Sequence, residues 1–206
     1  MIVIGNDIVK LSDAQNKRSF TRKGIEKFFT VEELDFAASY PDSNPLECLW
    51  AIKESAYKCL MKTGHNKAFS PAKYKCTIVQ ENSVFYAKIN YQKKQFFAKC
   101  TEDDEFVRCV ASNNKKILNF IKSFHIAINR KEDRSEHITK KVKHLVNQDI
   151  VFTKSKNNIP FIITKDGKKQ IEVSLSTEGS LNYVSILPEW ISNQHSTANK
   201  PLFAYA

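Results

Sequence analysis

The sequence lacks several features that would assign it to a common class of protein. None of its 206 residues belongs to an uninterrupted run of 18 apolar residues, and no basic segment followed by an apolar one stands at its start. We therefore expect a soluble, cytoplasmic protein with no membrane association. Glycine is scarce, at five residues, and neither a glycine-rich phosphate loop nor a nucleophile elbow is present. The five histidines lack the spacing of metal ligands.

Cysteine is also used sparingly, and its pattern excludes two further classes. The chain has five cysteines, an odd number, with no Cys-x-x-Cys pair. Reduced thiols fit this pattern better than a disulfide framework or a zinc site. Most of the cysteines lie in apolar periodic segments, so we expect them to be small core residues: Cys48, Cys59, Cys76, Cys100 and Cys109.

Positively charged residues outnumber negatively charged ones, 32 to 22. The formal net charge is +10, which suits an acidic partner such as nucleic acid, a phosphorylated small molecule, an anionic membrane surface or an acidic protein. The alternative is that the excess lysine only keeps the protein in solution.

Residues 47–61 have the period of an amphipathic helix. Its apolar stripe consists of Leu49, Ile52, Ala56, Cys59 and Leu60. Glu54 and Lys58 lie on the other side, one turn apart. A carboxylate and an ammonium so placed can hold a divalent metal and a phosphate side by side, although such a pair is more often a surface ion pair.

Two further segments near the start carry polar residues at defined positions. Residues 2–4 are predicted to form a short strand that breaks at Gly5 and places Asp7 at its end, where an ordinary turn carboxylate is the simpler interpretation. Thr30 and Glu33 have the spacing of a helix-capping box.

The remaining pattern indicates two halves. Residues 74–112 read as a four-stranded meander, and Asn113-Asn114-Lys115-Lys116 marks a boundary, which gives halves of 1–112 and 113–206. In the second half we predict helical segments at 117–124 and 134–147, four strands between 150 and 187, and a poorly ordered polar tail after Pro188.

Three motifs in this order resemble the 4′-phosphopantetheinyl transferases. They are Gly-x-Asp-Ile-Val from Gly5, Phe-Thr-x-x-Glu ending at Glu33, and Trp-x-x-Lys-Glu-Ser-x-x-Lys ending at Lys58. The segment from Ile159-Pro160 to Glu178 resembles the remaining block, normally Gly-Lys-Pro followed by Ser-Leu-Ser-His. The resemblance implies an α+β, pseudo-duplicated fold of antiparallel sheets with packed helices. It also implies a monomer that forms an internal pseudo-dimer, with its site in the cleft between the halves.

The resemblance further implies an activity, that of a holo-acyl-carrier-protein synthase. Such enzymes move the 4′-phosphopantetheine arm of coenzyme A to a serine of an acidic acyl or peptidyl carrier protein, with Mg²⁺, and release 3′,5′-ADP. Fatty-acid, polyketide and peptide synthesis are the pathways that use such carriers. By this resemblance Asp7 and Glu54 would be the metal ligands, and Lys58 would contact the pyrophosphate. Glu54 or a metal-bound water would take the serine proton.

The same resemblance points to a subsite for coenzyme A. Ser176 and Thr177 would touch its nucleotide end, and Lys53 would be a structural or phosphate-steering residue. Pro160 stands in the matching block, and Lys156 lies close enough in sequence to add charge. Two positions depart from the family pattern: Thr177 replaces a phosphate-binding histidine, and Val9 stands where large members carry a third acidic residue.

Two other functions fit the same residues. The first is a non-catalytic relative that binds coenzyme A or a carrier protein, which the threonine at position 177 favours. The second is a nucleic-acid-binding module, indicated by the basic segment 140–144 and by aromatic residues of the meander. These aromatic residues occur as adjacent pairs, Phe85-Tyr86 and Phe96-Phe97, so one of each pair must face the core. We therefore expect no nucleic-acid partner.

Overall fold

The computed structural model describes residues 1–11, 24–65, 68–128, 134–155, 157–167 and 169–188, which form two five-stranded antiparallel sheets. The first sheet contains β1 (Ile4–Lys10), β2 (Lys75–Glu81), β3 (Val84–Tyr91), β4 (Lys94–Glu102) and β5 (Phe106–Ser112). The second contains β6 (Lys122–Ala127), β7 (Ile150–Lys154), β8 (Pro160–Thr164), β9 (Gln170–Glu178) and β10 (Leu181–Leu187). The helices of the described residues are α1 (Val31–Ala38), α2 (Pro45–Met61) and α3 (Arg134–Val146), with short 3₁₀ turns at Ile25–Lys27, Pro71–Lys73 and Lys115–Phe120. The predicted α+β class with antiparallel sheets is confirmed.

The two sheets share one topology. Their strand orders are β1-β5-β4-β3-β2 and β6-β10-β9-β8-β7, so each strand of the second sheet has a counterpart five strands earlier. In each half a long helix, α2 or α3, connects the first strand to the second. The predicted pseudo-duplication is therefore visible in the order of the elements. The exact domain boundary at 112/113 stays a prediction.

Local sequence explains the helices of the first half. Thr30 caps α1 through the predicted box, because its backbone N–H donates to Glu33 Oε2 at 2.9 Å and its hydroxyl accepts from the Glu33 N–H at 3.4 Å. Helix α2 begins with Pro45, whose missing N–H costs nothing at the first helical position. The predicted apolar stripe of α2 is buried in the first half, and the four cysteines at 48, 59, 100 and 109 are buried free thiols, as expected.

In strands β3 and β4, buried side chains alternate with half-buried or exposed ones. Phe85 and Phe96 lie in the core of the first half, whereas Tyr86 and Phe97 are only half-buried. These aromatic residues are thus divided between the two faces of the sheet, as expected, and do not form one stacking surface.

Two strands differ from the sequence prediction. Strand β1 continues through Asp7 to Lys10, because all seven of its residues pair with β5 and Gly5 does not interrupt that ladder. The predicted helix at 117–124 is wrong in its second part: a 3₁₀ turn ends at Phe120 and strand β6 follows, paired with β10. The partner of β6 lies about 60 residues away, and local periodicity carries no information about such pairing.

Strand β1 also joins the two halves. Ile8 packs with Val110 and Tyr183, and Ile4 packs with Ile117 and Leu187. At the end of α2 the Lys62 ammonium reaches across to the Glu172 carboxylate and to the Val173 carbonyl oxygen. The junction is therefore held by apolar contacts and by hydrogen bonds together.

Some predictions fall outside the described residues. They concern Lys156 and the tail from residue 189 to residue 206. Within the described part of the chain, no helix has the length and apolar character needed to cross a membrane.

Candidate active site

Gly5 allows β1 to approach α2 closely. A Cβ atom at this position would lie 2.0 Å from the carbonyl oxygen of Ser55, a separation that no side chain tolerates. Side chains alternate along a strand, so Asp7, two residues on, points to the same helix. The glycine of the Gly-x-Asp motif thus sets the distance between Asp7 and the polar face of α2.

Asp7 is a buried carboxylate, 3% exposed. Its Oδ1 atom accepts hydrogen bonds from Ser176 Oγ at 2.7 Å and from Lys58 Nζ at 3.2 Å. Its Oδ2 atom is buried and has no hydrogen-bond partner among the described residues. A buried carboxylate oxygen without a donor is costly, and a bound cation would satisfy it.

Lys58 lies between two carboxylates, those of Asp7 and Glu54. Its ammonium donates to the backbone carbonyl of Asn6 at 2.8 Å and lies 3.9 Å from Glu54 Oε1, in addition to its contact with Asp7. The Lys58 side chain is 24% exposed. The ammonium is therefore held by the protein, while the side chain remains partly open to solvent.

Glu54 is oriented by an aromatic neighbour one helical turn earlier. The indole N–H of Trp50 donates to Glu54 Oε2 at 2.9 Å. The Trp50 ring packs edge-on against Phe28 and Phe69, with centroids 5.7 and 5.6 Å away. Sequence reasoning assigned Trp50 no role, although its i,i+4 spacing to Glu54 is the signal that would have found it.

Lys53 and Glu33 form a buried pair away from solvent. The Lys53 ammonium donates to Glu33 Oε2 at 2.6 Å and to the carbonyl oxygens of Phe28 and Pro71 at 2.8 and 3.2 Å, and its side chain is fully buried. Glu33 Oε1 accepts from the Cys76 N–H at 2.9 Å. These contacts fasten α1, α2 and the start of β2 together. The burial of Lys53 favours the structural one of its two predicted roles. Both Glu33 oxygens are used by protein groups.

The structure separates the residues predicted to bind the nucleotide. Ser176 is buried and its hydroxyl binds Asp7. Thr177, on the opposite face of β9, is exposed and donates to Asn182 Oδ1 at 3.1 Å. Pro160 begins β8, opposite Lys154 of β7 and one strand away from Ser176. Only Ser176 of these three thus joins the cluster around Asp7.

A basic groove lies between β6 and α3 in the second half. Its volume is about 910 Å³, and the basic side chains at its edge are His125, His137, Lys140, Lys141, Lys143 and His144. Asp149, the acidic residue at the edge, is paired with Lys143. The Arg108 Nε–H donates to His125 at 3.0 Å. Partial burial is the larger cause that lowers the pKa of His125, and the charge of the Arg108 guanidinium is the second. The groove is suited to an anionic ligand.

The donor set around Asp7 is suited to magnesium. In the described parts of the chain, no three His, Cys, Asp or Glu side chains are close enough together to hold a metal. A cation held by Asp7 and Glu54 would therefore have two protein ligands. Mg²⁺ commonly binds one or two carboxylates and completes its octahedron with substrate phosphates and waters. The unsatisfied Asp7 Oδ2 fits this requirement.

The fold and the site together define a class: a two-halved α+β protein with a carboxylate–lysine cluster suited to a phosphate-bearing ligand at the junction. Residues 3–128 match the family model of the 4′-phosphopantetheinyl transferase superfamily. The match covers more than half of the chain, and the protein belongs to this superfamily. Searches of curated proteins and of solved structures each returned no match. Membership supports phosphopantetheinyl transfer as the general activity, in which the family acts on carrier proteins with coenzyme A.

Proposed function

We propose that this protein transfers the 4′-phosphopantetheine arm of coenzyme A to a serine of an acyl or peptidyl carrier protein in a Mg²⁺-dependent reaction. The observation that carries the proposal is the cluster of Asp7, Lys58 and Glu54, in which one ammonium lies within 3.2 and 3.9 Å of the two carboxylates. The family match covers all three residues.

The reaction is a phosphoryl transfer with a balanced exchange of bonds. The serine oxygen of the carrier forms a bond to the phosphorus that bears the pantetheine arm. The bond from that phosphorus to the bridging oxygen of the pyrophosphate breaks, and 3′,5′-ADP leaves with the electron pair. In such reactions the protein mainly positions groups and neutralises charge.

Each residue of the cluster has a role in this scheme. Lys58 contacts the pyrophosphate as a point charge and offsets charge that develops on the leaving group. Glu54, held by the Trp50 indole, accepts the serine proton. Asp7, oriented by Ser176, would hold the cation together with Glu54. A bound Mg²⁺ would supply Lewis-acid polarisation of the pyrophosphate.

The basic groove supports the choice of an anionic co-substrate. Thr177 Oγ1 bonds to Asn182, whose amide nitrogen donates to the carbonyl oxygen of Ile126 at the groove. This path links the strand that carries Ser176 to β6, the strand that lines one side of the groove. The nucleotide phosphates of coenzyme A would find complementary charge there, which Thr177 itself does not supply.

Intact mass spectrometry of an apo carrier protein tests the proposal. The carrier is incubated with this protein, coenzyme A and Mg²⁺, and a second sample also contains excess EDTA. We expect a mass gain of one phosphopantetheine arm, absent with EDTA. No gain on acyl or peptidyl carriers, with a folded sample, would contradict transfer. Calorimetry would then show whether the protein binds coenzyme A as a non-catalytic relative.

A further inference from the structure

Asn6, between Gly5 and Asp7, faces the second half of the protein. Gly5 and Asp7 point to α2, and the alternation of side chains along β1 directs Asn6 away from it. Asn6 is fully buried. Its side-chain amide nitrogen donates to the Tyr183 carbonyl oxygen at 2.8 Å and to Ser185 Oγ at 3.1 Å, both on β10.

The backbone of Asn6 is equally committed. Strand β1 lies at the edge of its sheet, so no neighbouring strand uses its outward backbone groups. The Asn6 N–H donates to Ser174 Oγ of β9 at 3.0 Å, and the Asn6 carbonyl oxygen accepts from Lys58 Nζ at 2.8 Å. One residue therefore fastens β1 to β9 and β10 and supplies the shortest hydrogen bond of the Lys58 ammonium.

The amide of Asn6 is not the arrangement that stability alone favours. Its Oδ1 atom is buried without a hydrogen-bond partner among the described residues. A buried polar group left partly unsatisfied reduces stability, and an apolar side chain would avoid that cost. A benefit in geometry would account for an asparagine here, since its two donated bonds fix β1 in one position against β10.

We propose that Asn6 is a positioning residue for Lys58. By holding β1 against β9 and β10, it fixes the carbonyl oxygen that Lys58 binds and thereby directs the ammonium to the pyrophosphate of coenzyme A. This inference rests on the proposed transfer activity. It gives Asn6, the middle residue of the Gly-x-Asp motif, an indirect role in coenzyme A binding, because Asn6 itself does not contact the substrate.

The test uses Asn6→Ala, with Ser112→Ala as the matched control. Ser112 is also fully buried, and its hydroxyl donates at 2.9 Å to the carbonyl oxygen of Val3, the residue before β1, which lies three residues before Asn6. For Asn6→Ala we expect roughly a tenfold rise in KM for coenzyme A with KM for the carrier unchanged. For Ser112→Ala we expect both constants to match the wild type.

Calorimetry separates positioning from a general structural effect. Asn6→Ala should weaken coenzyme A binding roughly tenfold in the wild-type background, yet have no further effect in a Lys58→Met background, because it acts through Lys58. Equal weakening in both backgrounds would overturn the inference, as would a KM for coenzyme A within twofold of the wild type.

A second variant covers the case in which Asn6→Ala does not fold, and the wild type serves as the reference for the proposed function. If Asn6→Ala does not fold, Ser185→Ala removes only one acceptor of the Asn6 amide. It should raise KM for coenzyme A about threefold, and an unchanged KM would then overturn the inference. The wild type is assayed beside every variant. Its failure to transfer the arm would contradict the proposed function, whereas an active wild type with an unaffected Asn6→Ala contradicts only the role of Asn6.

Discussion

The hydroxyl of Ser176 donates a 2.7 Å hydrogen bond to Oδ1 of Asp7, a residue 169 positions earlier in the chain. This bond joins the second sheet to the first at β1, a strand that packs on both. It leaves the other carboxylate oxygen of Asp7 without a partner in the described residues. The second half thus helps to build the site by orienting the Asp7 carboxylate, which belongs to the first half.

The Trp50 indole N–H provides a direct test of how Glu54 is held. Trp50→Phe keeps an aromatic ring against Phe28 and Phe69 but removes the 2.9 Å bond to Glu54. We expect kcat to fall roughly tenfold, because a misdirected proton acceptor lowers the rate, while the free energy of unfolding falls by only about 1 kcal/mol. Transfer kinetics and urea unfolding measure the two effects. The control is Tyr57→Phe on the same helix, which should keep the wild-type kcat. An equal fall of kcat in both variants would show that the bond to Glu54 has no special role.

The two lysines of the Lys-Glu-Ser-x-x-Lys helix should respond in opposite ways to substitution. Lys53→Met leaves Glu33 buried without its cation, so we expect the free energy of unfolding to fall by about 3 kcal/mol. Lys58 is partly exposed, and Asp7 keeps its hydrogen bond from Ser176 when the ammonium is removed, so Lys58→Met should cost less stability than Lys53→Met, about 1–2 kcal/mol, while transfer is lost. Urea unfolding and the transfer assay distinguish the two. A stable Lys53→Met with weakened coenzyme A binding would instead return Lys53 to a phosphate-steering role.

Gly5 should tolerate no side chain. In Gly5→Ala the new Cβ would collide with the Ser55 carbonyl oxygen, and β1 or α2 would have to move. We expect more than about 2 kcal/mol of lost stability and loss of transfer, since Asp7 would move with β1. Gly167→Ala is the control: its φ of +68° is unfavourable for a side chain, but the space around it is open, so it should cost about 1 kcal/mol with full activity. Thermal unfolding gives the comparison, and equal costs for both variants would mean that the close approach is unimportant.

Stability should decrease at alkaline pH because of buried thiols. Burial raises the pKa of Cys59, and burial with neighbouring thiols raises the pKa of Cys100, both above the ordinary 9.0. Above pH 9.0 the unfolded chain therefore loses thiol protons that the folded protein keeps, and the free energy of unfolding falls by about 1.4 kcal/mol per pH unit for each such thiol.

Urea unfolding from pH 8 to pH 10.5 measures this slope. A Cys59→Ala variant, although less stable at every pH, should show a slope shallower by about the contribution of one thiol. Parallel slopes in the two proteins would mean that Cys59 ionises in the folded state.

Features that depend on local sequence could be predicted, and features that depend on distant contacts could not. Local residue spacing predicted the capping box of Thr30, and local periodicity predicted the apolar stripe of α2 and the meander. All three are present as expected. Strand β6 was missed because its partner is about 60 residues away. The ladder to β5, likewise distant in sequence, extends β1 past Gly5.

The same division applies to the site. Asp7, Glu54 and Lys58 were predicted from the resemblance of three motifs to the family, and the structure brings them together at the junction. The sequence did not predict that Ser176 would bind Asp7, that Lys53 would be buried with Glu33, or that Asn6 would bridge the halves. Each of these depends on which strand face meets which partner, and a motif does not record that information.

The measurement that tests the central claim most directly is the intact-mass assay with Glu54→Gln and Glu47→Gln beside the wild type. Both substitutions remove one carboxylate charge from α2, but only Glu54 lies at the Lys58 ammonium. We expect the wild type and Glu47→Gln to add the phosphopantetheine arm to the carrier. Glu54→Gln should add none while unfolding at the same urea concentration as the wild type. Wild-type transfer by a folded Glu54→Gln would contradict the assignment of the site.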